Sequence, residues 1–494
     1  MYARDKLFIG GAWVAPETDA VFEIMCPSTE EVVGRVPEGG LADMDRAVAA
    51  ARRAFDGGEW SKCTPGERAQ VLAEISRRLG DRADELAQVI TTEMGAPISS
   101  AKADQVLQPI ATIDYYVSLA GSYPFEEQRS VGRATTVVHD PVGVVAAIVP
   151  WNAPLRSIVN KLAPALLAGC AVVVKPAPNT PLSSMVLADV LAEVGLPDGL
   201  VSIVPADRAA GEHLVSHRGV DKVAFTGSTA AGRRIMAAAA ANMTRVGLEL
   251  GGKSAAIVLD DADLADTLKR LVPLAIGNTG QACTAQTRVL VPRESHDTFV
   301  EAICAAIAKW PPGDPFDPAT RTGPLVSKAQ LDRVLGYLDL AREEGATAVI
   351  GGGRTVGLDR GFFVDPTVLT GVTNDMRVAR EEIFGPVVSI IAYDSLDEAI
   401  GDRERLGLRP VRVGVDRRHR ARSRGRSSAT NRTGACERSG AGHRRAVRRL
   451  QAIGHRTRVR PRRTRRILGV EGDRLSTDDQ AATGATMTQG VTSP

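Results

Sequence analysis

The chain has 494 residues, a formal net charge of +3 and 44% hydrophobic residues, too long for one hydrophobic core, so two or three domains are expected. It opens MYARDKLFIGGAWV, with no basic stretch leading into an apolar one, and nowhere runs eighteen apolar residues, so a cytosolic protein without membrane contact is expected. Six cysteines, at 26, 63, 170, 283, 304 and 436, lie far apart with no CxxC pair, which argues against a disulfide framework or a zinc site and suits a reducing compartment.

In chain order, residues 123–143, YPFEEQRSVGRATTVVHDPVG, alternate like a hairpin that could project from the body. VGVVAAIVP from Val142 is a continuous apolar run of the buried parallel-strand type, followed by an apolar helix through Leu162 to Leu167 and a second buried strand, AVVVKP. SSMVLADVLAEVG reads as a helix ending at Gly195, LVSIVP as a strand, and KVAFTGS as a strand entering a glycine-bearing turn and another helix. Strand, helix and strand recurring at short intervals predict an α/β fold with a doubly wound parallel sheet. A second series, SAAIVLDD, TRVLVP and ATAVIGGG, predicts a second α/β domain.

The composition breaks near residue 400. The last 94 residues carry 24 Arg, no Lys and 8 acidic groups, a net of +16, and no Phe, Trp or Tyr; residues 1–400 carry 37 basic and 50 acidic groups, a net of −13. A segment of that composition buries little apolar surface and reads as disordered.

Two short stretches carry chemistry: LELGGK, ending in Lys253, and GNTGQAC, ending in Cys283. A thiol attacks a carbonyl carbon as thiolate, and the thioester that follows is released only if something activates water, so one site needs both a thiol and a base. Cys283 and Glu249 suit those roles. A lone cysteine is more often a small buried hydrophobe, and Cys26, Cys63, Cys170 and Cys304 keep that reading.

The order PWNAPL at Pro150, VVVKPAP at Val172, FTGSTAAG at Phe225, LELGGKS at Leu248, GQAC at Gly280 and EEIFGP at Glu381 resembles the NAD(P)-dependent aldehyde dehydrogenase superfamily over about residues 5–400. The resemblance implies a cofactor domain of residues 1–118 and 142–251, an oligomerisation hairpin at 119–141 and a catalytic domain at 252–400. It implies oxidation of an aldehyde to the acid through a Cys283 thiohemiacetal, with hydride passing to NAD or NADP and Glu249 activating the hydrolytic water. The Asn152 amide and the Cys283 N–H would hold the oxyanion, and Lys161 matches a lysine that assists near the site.

The cofactor set implied by the resemblance begins with Pro150 and Trp151, then Lys175 on the adenosine ribose, with Pro178 and Gly211 nearby. Phe225, Gly227, Ser228 and Gly232 form the strand-to-helix turn that takes the pyrophosphate. Leu250 follows the base, Glu382 holds the nicotinamide ribose, and Phe384 packs close by. No metal is implied. The family forms homodimers or homotetramers.

The chain departs from the family at three places. Pro178 stands where NAD-preferring members often carry a glutamate, which removes a repulsion against a 2′-phosphate, and Ala153 stands where many carry a bulky aromatic, which implies a roomier substrate channel. The third departure is the tail, which lacks the family's Pro-Phe-Gly-Gly-x-Lys-x-Ser-Gly segment and its final strand. Yet Ala446–Gly454, AVRRLQAIG, has an encoding that gives PFGGFKQS when read one nucleotide later, and synonymous choices through Glu471 extend this to PFGGFKQSGTGREYGPEGLEEYLES. Residues from about 401 to 494 are therefore expected to be an out-of-frame translation of the family's C-terminus. Two alternatives stand beside the active enzyme: a member impaired by loss of that segment, and a nucleic-acid binder using its +16 tail, which has no aromatic to stack a base.

Overall fold

The computed structural model describes residues 2–131, 133–404, 414–415 and 455–461. The expected disorder of the tail falls mostly outside the described residues.

The described strands form four sheets. In the first, β1 (Tyr2–Ala3) lies parallel to β5 (Val32–Pro37), which pairs antiparallel with β4 (Val21–Met25). The second has seven strands in the order β12 (Arg245–Leu250), β11 (Lys222–Gly227), β8 (Val144–Ile148), β9 (Ala171–Lys175), β10 (Val201–Ile203), β2 (Leu7–Ile9) and β3 (Ala12–Val14). Its five strands from β8 onward in the chain are mutually parallel, and the hairpin of β2 and β3 extends the sheet antiparallel beyond β10, with β3 at the edge. Val172, Val173 and Val174 of β9 are completely buried, each worth about 1.5–3 kcal/mol. That uninterrupted burial is why the strand reads as a solid apolar run. Packed helices, among them Pro154–Ala168 and Leu182–Val194, supply the cover that parallel strands need.

Strand order locates the crevice. From β8 the chain proceeds to β9 and β10 on one side, then returns to β11 and β12 on the other. Where the direction reverses, the loops leaving the ends of β8 and β11 part and leave an opening, the usual ligand position in an open α/β sheet.

A third sheet of six strands runs β15 (Thr347–Ile350), β16 (Thr367–Thr370), β17 (Val387–Tyr393), β14 (Arg288–Pro292), β13 (Ala255–Val258) and β18 (Gly414–Val415). All its pairs are parallel except β15 with β16. The fourth sheet joins the expected hairpin, β6 (Glu126–Val131) and β7 (Arg133–Pro141), to β19 (His455–Pro461), which pairs antiparallel along β7. Thus two segments beyond residue 400 are placed in sheets. Composition gave no sign of either, because an edge is extended by backbone hydrogen bonds, to which residue type contributes little.

Candidate active site

The first half of the site is built from ends of regular elements. Beyond β8 come Pro150, Trp151 and Asn152, then the helix Pro154–Ala168, two turns into which buried Lys161 donates to the Thr226 hydroxyl of β11. β11 ends at Gly227, where a Cβ would fall 2.5 Å from the Phe225 ring, so any larger residue displaces that ring. Ser228 caps the helix Thr229–Ala240: its hydroxyl oxygen accepts the Ala231 N–H at 3.2 Å, leaving its proton to donate outward. A Cβ on Gly232 would meet Leu250 at 2.7 Å, so the helix lies directly on β12.

One strand further along, Lys175 ends β9 only 6% exposed, its Nζ donating to the Pro176 carbonyl at 3.1 Å. Burial pushes its amine down to about 8, against the pull of Asp207 and Glu38. Gly211 lies over its stem, a Cβ there falling 3.1 Å from Lys175 Cε. Half-buried Pro178 lies in the connection to the helix Leu182–Val194. That helix starts on Glu93, a fully buried carboxylate accepting the N–H groups of Leu182 and Ser183 at 2.6 and 3.1 Å. Burial raises Glu93 to about 7, opposed by those bonds.

The nucleophile loop is irregular. After the helix Leu264–Ile276, Asn278 (φ 56°), Thr279 (φ 55°) and Gly280 (φ 68°) are left-handed in succession. For two non-glycine residues this costs roughly 1–3 kcal/mol each and persists only when the surroundings enforce it. Here they do. The Asn278 amide donates to the carbonyls of Asn152 and Gln281, both at 3.1 Å; the Thr279 hydroxyl donates to the Gly323 carbonyl at 3.1 Å; and the Val326 N–H donates to Gln281 Oε1 at 3.0 Å. The Asn152 amide donates to the Gln281 carbonyl at 2.8 Å, and Gln105 donates to the Asn152 carbonyl at 3.1 Å. Asn152 and the loop two residues before Cys283 are therefore sewn together.

Among the five described cysteines, none forms a disulfide and only Cys283 is exposed. Packing around its sulfur raises the thiol above its ordinary value, and the carboxylates of Glu382 and Glu249 raise it further; Arg156 and its own backbone N–H oppose them. The fold thus brings exposed Glu249, near the end of β12, within electrostatic reach of Cys283. A thiol held above its ordinary value needs a proton acceptor to attack as thiolate.

A third segment closes the site. Phe384 is left-handed (φ 65°), and its ring meets Trp151 edge-on at 5.3 Å between centroids. The chain around it is held from the helix Lys328–Glu343, where Gln330 donates to the Phe384 carbonyl at 2.8 Å and Arg333 to the carbonyls of Glu382 and Ile383. The Glu382 carboxylate accepts the Gly252 N–H at 3.3 Å. Burial raises it, while that bond, Arg333 and Lys253 lower it. A Cβ on Gly280 would fall 2.1 Å from the Gly385 carbonyl oxygen, so nucleophile loop and Glu382 segment touch backbone to backbone. A cleft of about 830 Å³, lined in part by Thr229, Gly251, Gly252, Arg333 and Glu382, opens between the two large sheets.

The structure therefore gathers Asn152, Glu249, Cys283 and Glu382 at one place, with Trp151 and Phe384 in contact, and sets Lys161, Gly227 and Ser228 around the opening beside it. Lys175, Pro178 and Gly211 lie further along the same edge. Gln105, Asn278, Gln281, Gln330, Arg333 and Glu93 were not anticipated. Only Asn278 and Gln281 carried a signal, each following a glycine in GNTGQAC; the others come from distant parts of the chain. Among the described residues no His, Cys, Asp and Glu cluster could hold a metal, and no helix is long and apolar enough to cross a membrane.

Residues 13–406 match the family described as the aldehyde dehydrogenase family. The chain is 50% identical over 400 residues to a geranial dehydrogenase of Castellaniella defragrans, spanning 80% of this chain and 83% of that one. An aldehyde dehydrogenase of Mycobacterium tuberculosis, solved with NAD+, superimposes with a TM-score of 0.81 at 46% identity, covering 82% of this chain and 84% of that one. A mutant of aldehyde dehydrogenase C from Pseudomonas syringae, solved with NAD+ and octanal, gives 0.78 at 42% identity, covering 81% and 82%.

Proposed function

The chain belongs to the aldehyde dehydrogenase family, and from that premise we propose that it converts an aldehyde to its carboxylic acid by covalent catalysis at Cys283. The observation that carries this reading is the Asn152 amide fixed at 2.8 Å on the Gln281 carbonyl, two residues before the nucleophile. One amide N–H is engaged there and the other is left to donate to an oxyanion beside the sulfur.

Glu249 takes the thiol proton, and the sulfur adds to the aldehyde carbon to give a thiohemiacetal. Asn152 and the Cys283 N–H hold the new oxyanion. The residues of the crevice fit a dinucleotide. Gly227 has no room for a side chain, Ser228 keeps a free proton at a helix N-terminus, and Glu382 and Lys175 supply a carboxylate and an amine for two riboses. Bound NAD supplies the acceptor for the hydride that leaves as the thiohemiacetal collapses to a thioester. Glu249 then deprotonates the water that hydrolyses the thioester, and the acid departs. Lys161 steadies the end of β11 through Thr226. With proline at 178 the carboxylate that would oppose a 2′-phosphate from that position is absent, which supports use of NADP as well.

Ala153 beside the oxyanion amide supports a wide channel, and the relatives named for geranial or solved with octanal support a lipophilic aldehyde of about that size; turnover confined to short linear aldehydes would count against this. Domains of residues 1–118 with 142–251, 119–141 and 252–400, homo-oligomerisation through the hairpin, and a cytosolic location complete the proposal, the last supported by the lack of a disulfide among the described cysteines. Residues from about 401 are out of frame, a reading supported by the family match ending at 406; resequencing the gene tests it. The deciding assay sets this chain beside a frame-corrected one, with NAD and NADP and a panel of aldehydes. Acid formed only by the corrected chain would identify the present polypeptide as the impaired form. Acid formed by neither would sink the catalytic reading.

A further inference from the structure

Lys253, the last residue of LELGGK, has no task in that chemistry. Its side chain is 3% exposed, and its Nζ has no hydrogen-bond acceptor. It lies two residues before β13, whose Ala255 is in register with Arg288 at the start of β14. Burying an ammonium without partners costs several kcal/mol unless a counter-charge offsets it. Two charged groups act on this amine: Arg288, which repels it, and the Glu382 carboxylate, which attracts it.

The peptide before Lys253 already wraps that carboxylate. Gly252 donates its N–H to Glu382 Oε1, and a Cβ on Gly251 would fall 2.0 Å from Glu382 Oε2, so this turn must be glycine for the carboxylate to nest against it. Arg333 holds the segment's backbone, donating to the carbonyls of Glu382 and Ile383. The carboxylate thus feels both a guanidinium and a buried amine.

We propose that Lys253 is a positioning residue for the cofactor: it supplies the buried counter-charge that keeps Glu382 seated on the Gly251–Gly252 turn, in position for a ribose. The inference rests on the reading of Glu382 as a cofactor contact. It also explains why base and lysine share one short motif, since the turn that carries Glu249 at one end is clamped at the other. Burial and Arg288 push the amine down to about 7 and Glu382 pulls it up, while Lys253 in turn lowers Glu382. The two groups favour each other's charge.

The test is calorimetric titration of the full chain with NAD, without aldehyde, for the native protein, K253M, E382Q and the double variant, with melting temperatures alongside. K253M keeps the volume of the stem and removes the charge; K253Q serves if it does not fold. Lys253 acting through Glu382 weakens NAD binding about tenfold in K253M, and the double variant binds no more weakly than E382Q alone. Unchanged affinity in K253M with weakened affinity in E382Q, whatever the melting temperatures do, overturns the inference. So does a double variant whose losses add. If the native chain binds no NAD, the same four titrations are run on the frame-corrected chain; absence of binding there too, or an E382Q chain that binds NAD normally, overturns the cofactor reading of Glu382 instead.

Discussion

Lys175, Ser228 and Glu249 stand at or near the ends of regular elements, two strands and a helix, where hydrogen-bond ladders fix the backbone before any ligand arrives. Asn278, Thr279, Gly280 and Cys283 stand in a loop whose backbone is unfavourable by itself and is held by bonds to residues 152, 323 and 326. The difference separates two ways of preorganising a site. Cofactor groups need position along an edge, which strands and helix caps provide cheaply. The nucleophile must face a carbon from one direction, and a regular element would turn its side chain by a fixed period.

The comparison breaks outright at the sulfur. C283S should lower aldehyde oxidation by at least about a thousandfold in whichever chain turns over, without moving the melting temperature; an unmoved rate would place the chemistry elsewhere. G280A sharpens the contrast in stability. It forces a Cβ into the Gly385 carbonyl at φ +68° and should cost roughly 2–4 kcal/mol. G195A, at φ +72° on a helix end with nothing within 4 Å, should cost about 1 kcal/mol and spare activity. Equal losses in chemical denaturation would show that the loop is no more constrained than a helix terminus.

Lys175 adds a pH dependence. Its folded value of about 8 lies below the ordinary 10.5, so between these values the folded chain binds fewer protons than the unfolded one. The cost of burying the ammonium is full below pH 8 and fades as pH approaches 10.5. K175M should therefore stabilise the protein at pH 7 by on the order of 1–3 kcal/mol, lose that gain above pH 10 and weaken NAD binding; melts across that range decide it. S228A has the smallest effect, about 1 kcal/mol from the lost cap, with a weaker affinity for NAD in the same direction.

The parallel strands were legible because Val144–Ile148 and Ala171–Lys175 are buried on both faces and leave an uninterrupted apolar record. The turn at Ser228 was legible because a glycine and a hydroxyl after an apolar strand mark the start of the next helix. Gln105, Gln330 and Arg333 were illegible for the opposite reason: each acts on a backbone carbonyl at least 47 residues away, and a carbonyl leaves no trace in the sequence. The strands at Gly414–Val415 and His455–Pro461 were missed because the arginine-rich composition around them carries no periodic apolar face.

The contact between Gly280 and Gly385 leaves natural variation little to work with. Neither residue has a side chain to trim or enlarge, so the nucleophile loop and the ribose segment shift together or not at all. A lineage adapting to a new aldehyde could not reshape the mouth of the site through these loops without also disturbing its cofactor. Adaptation is steered to positions such as Ala153, where a side chain can grow or shrink while the backbone stays still.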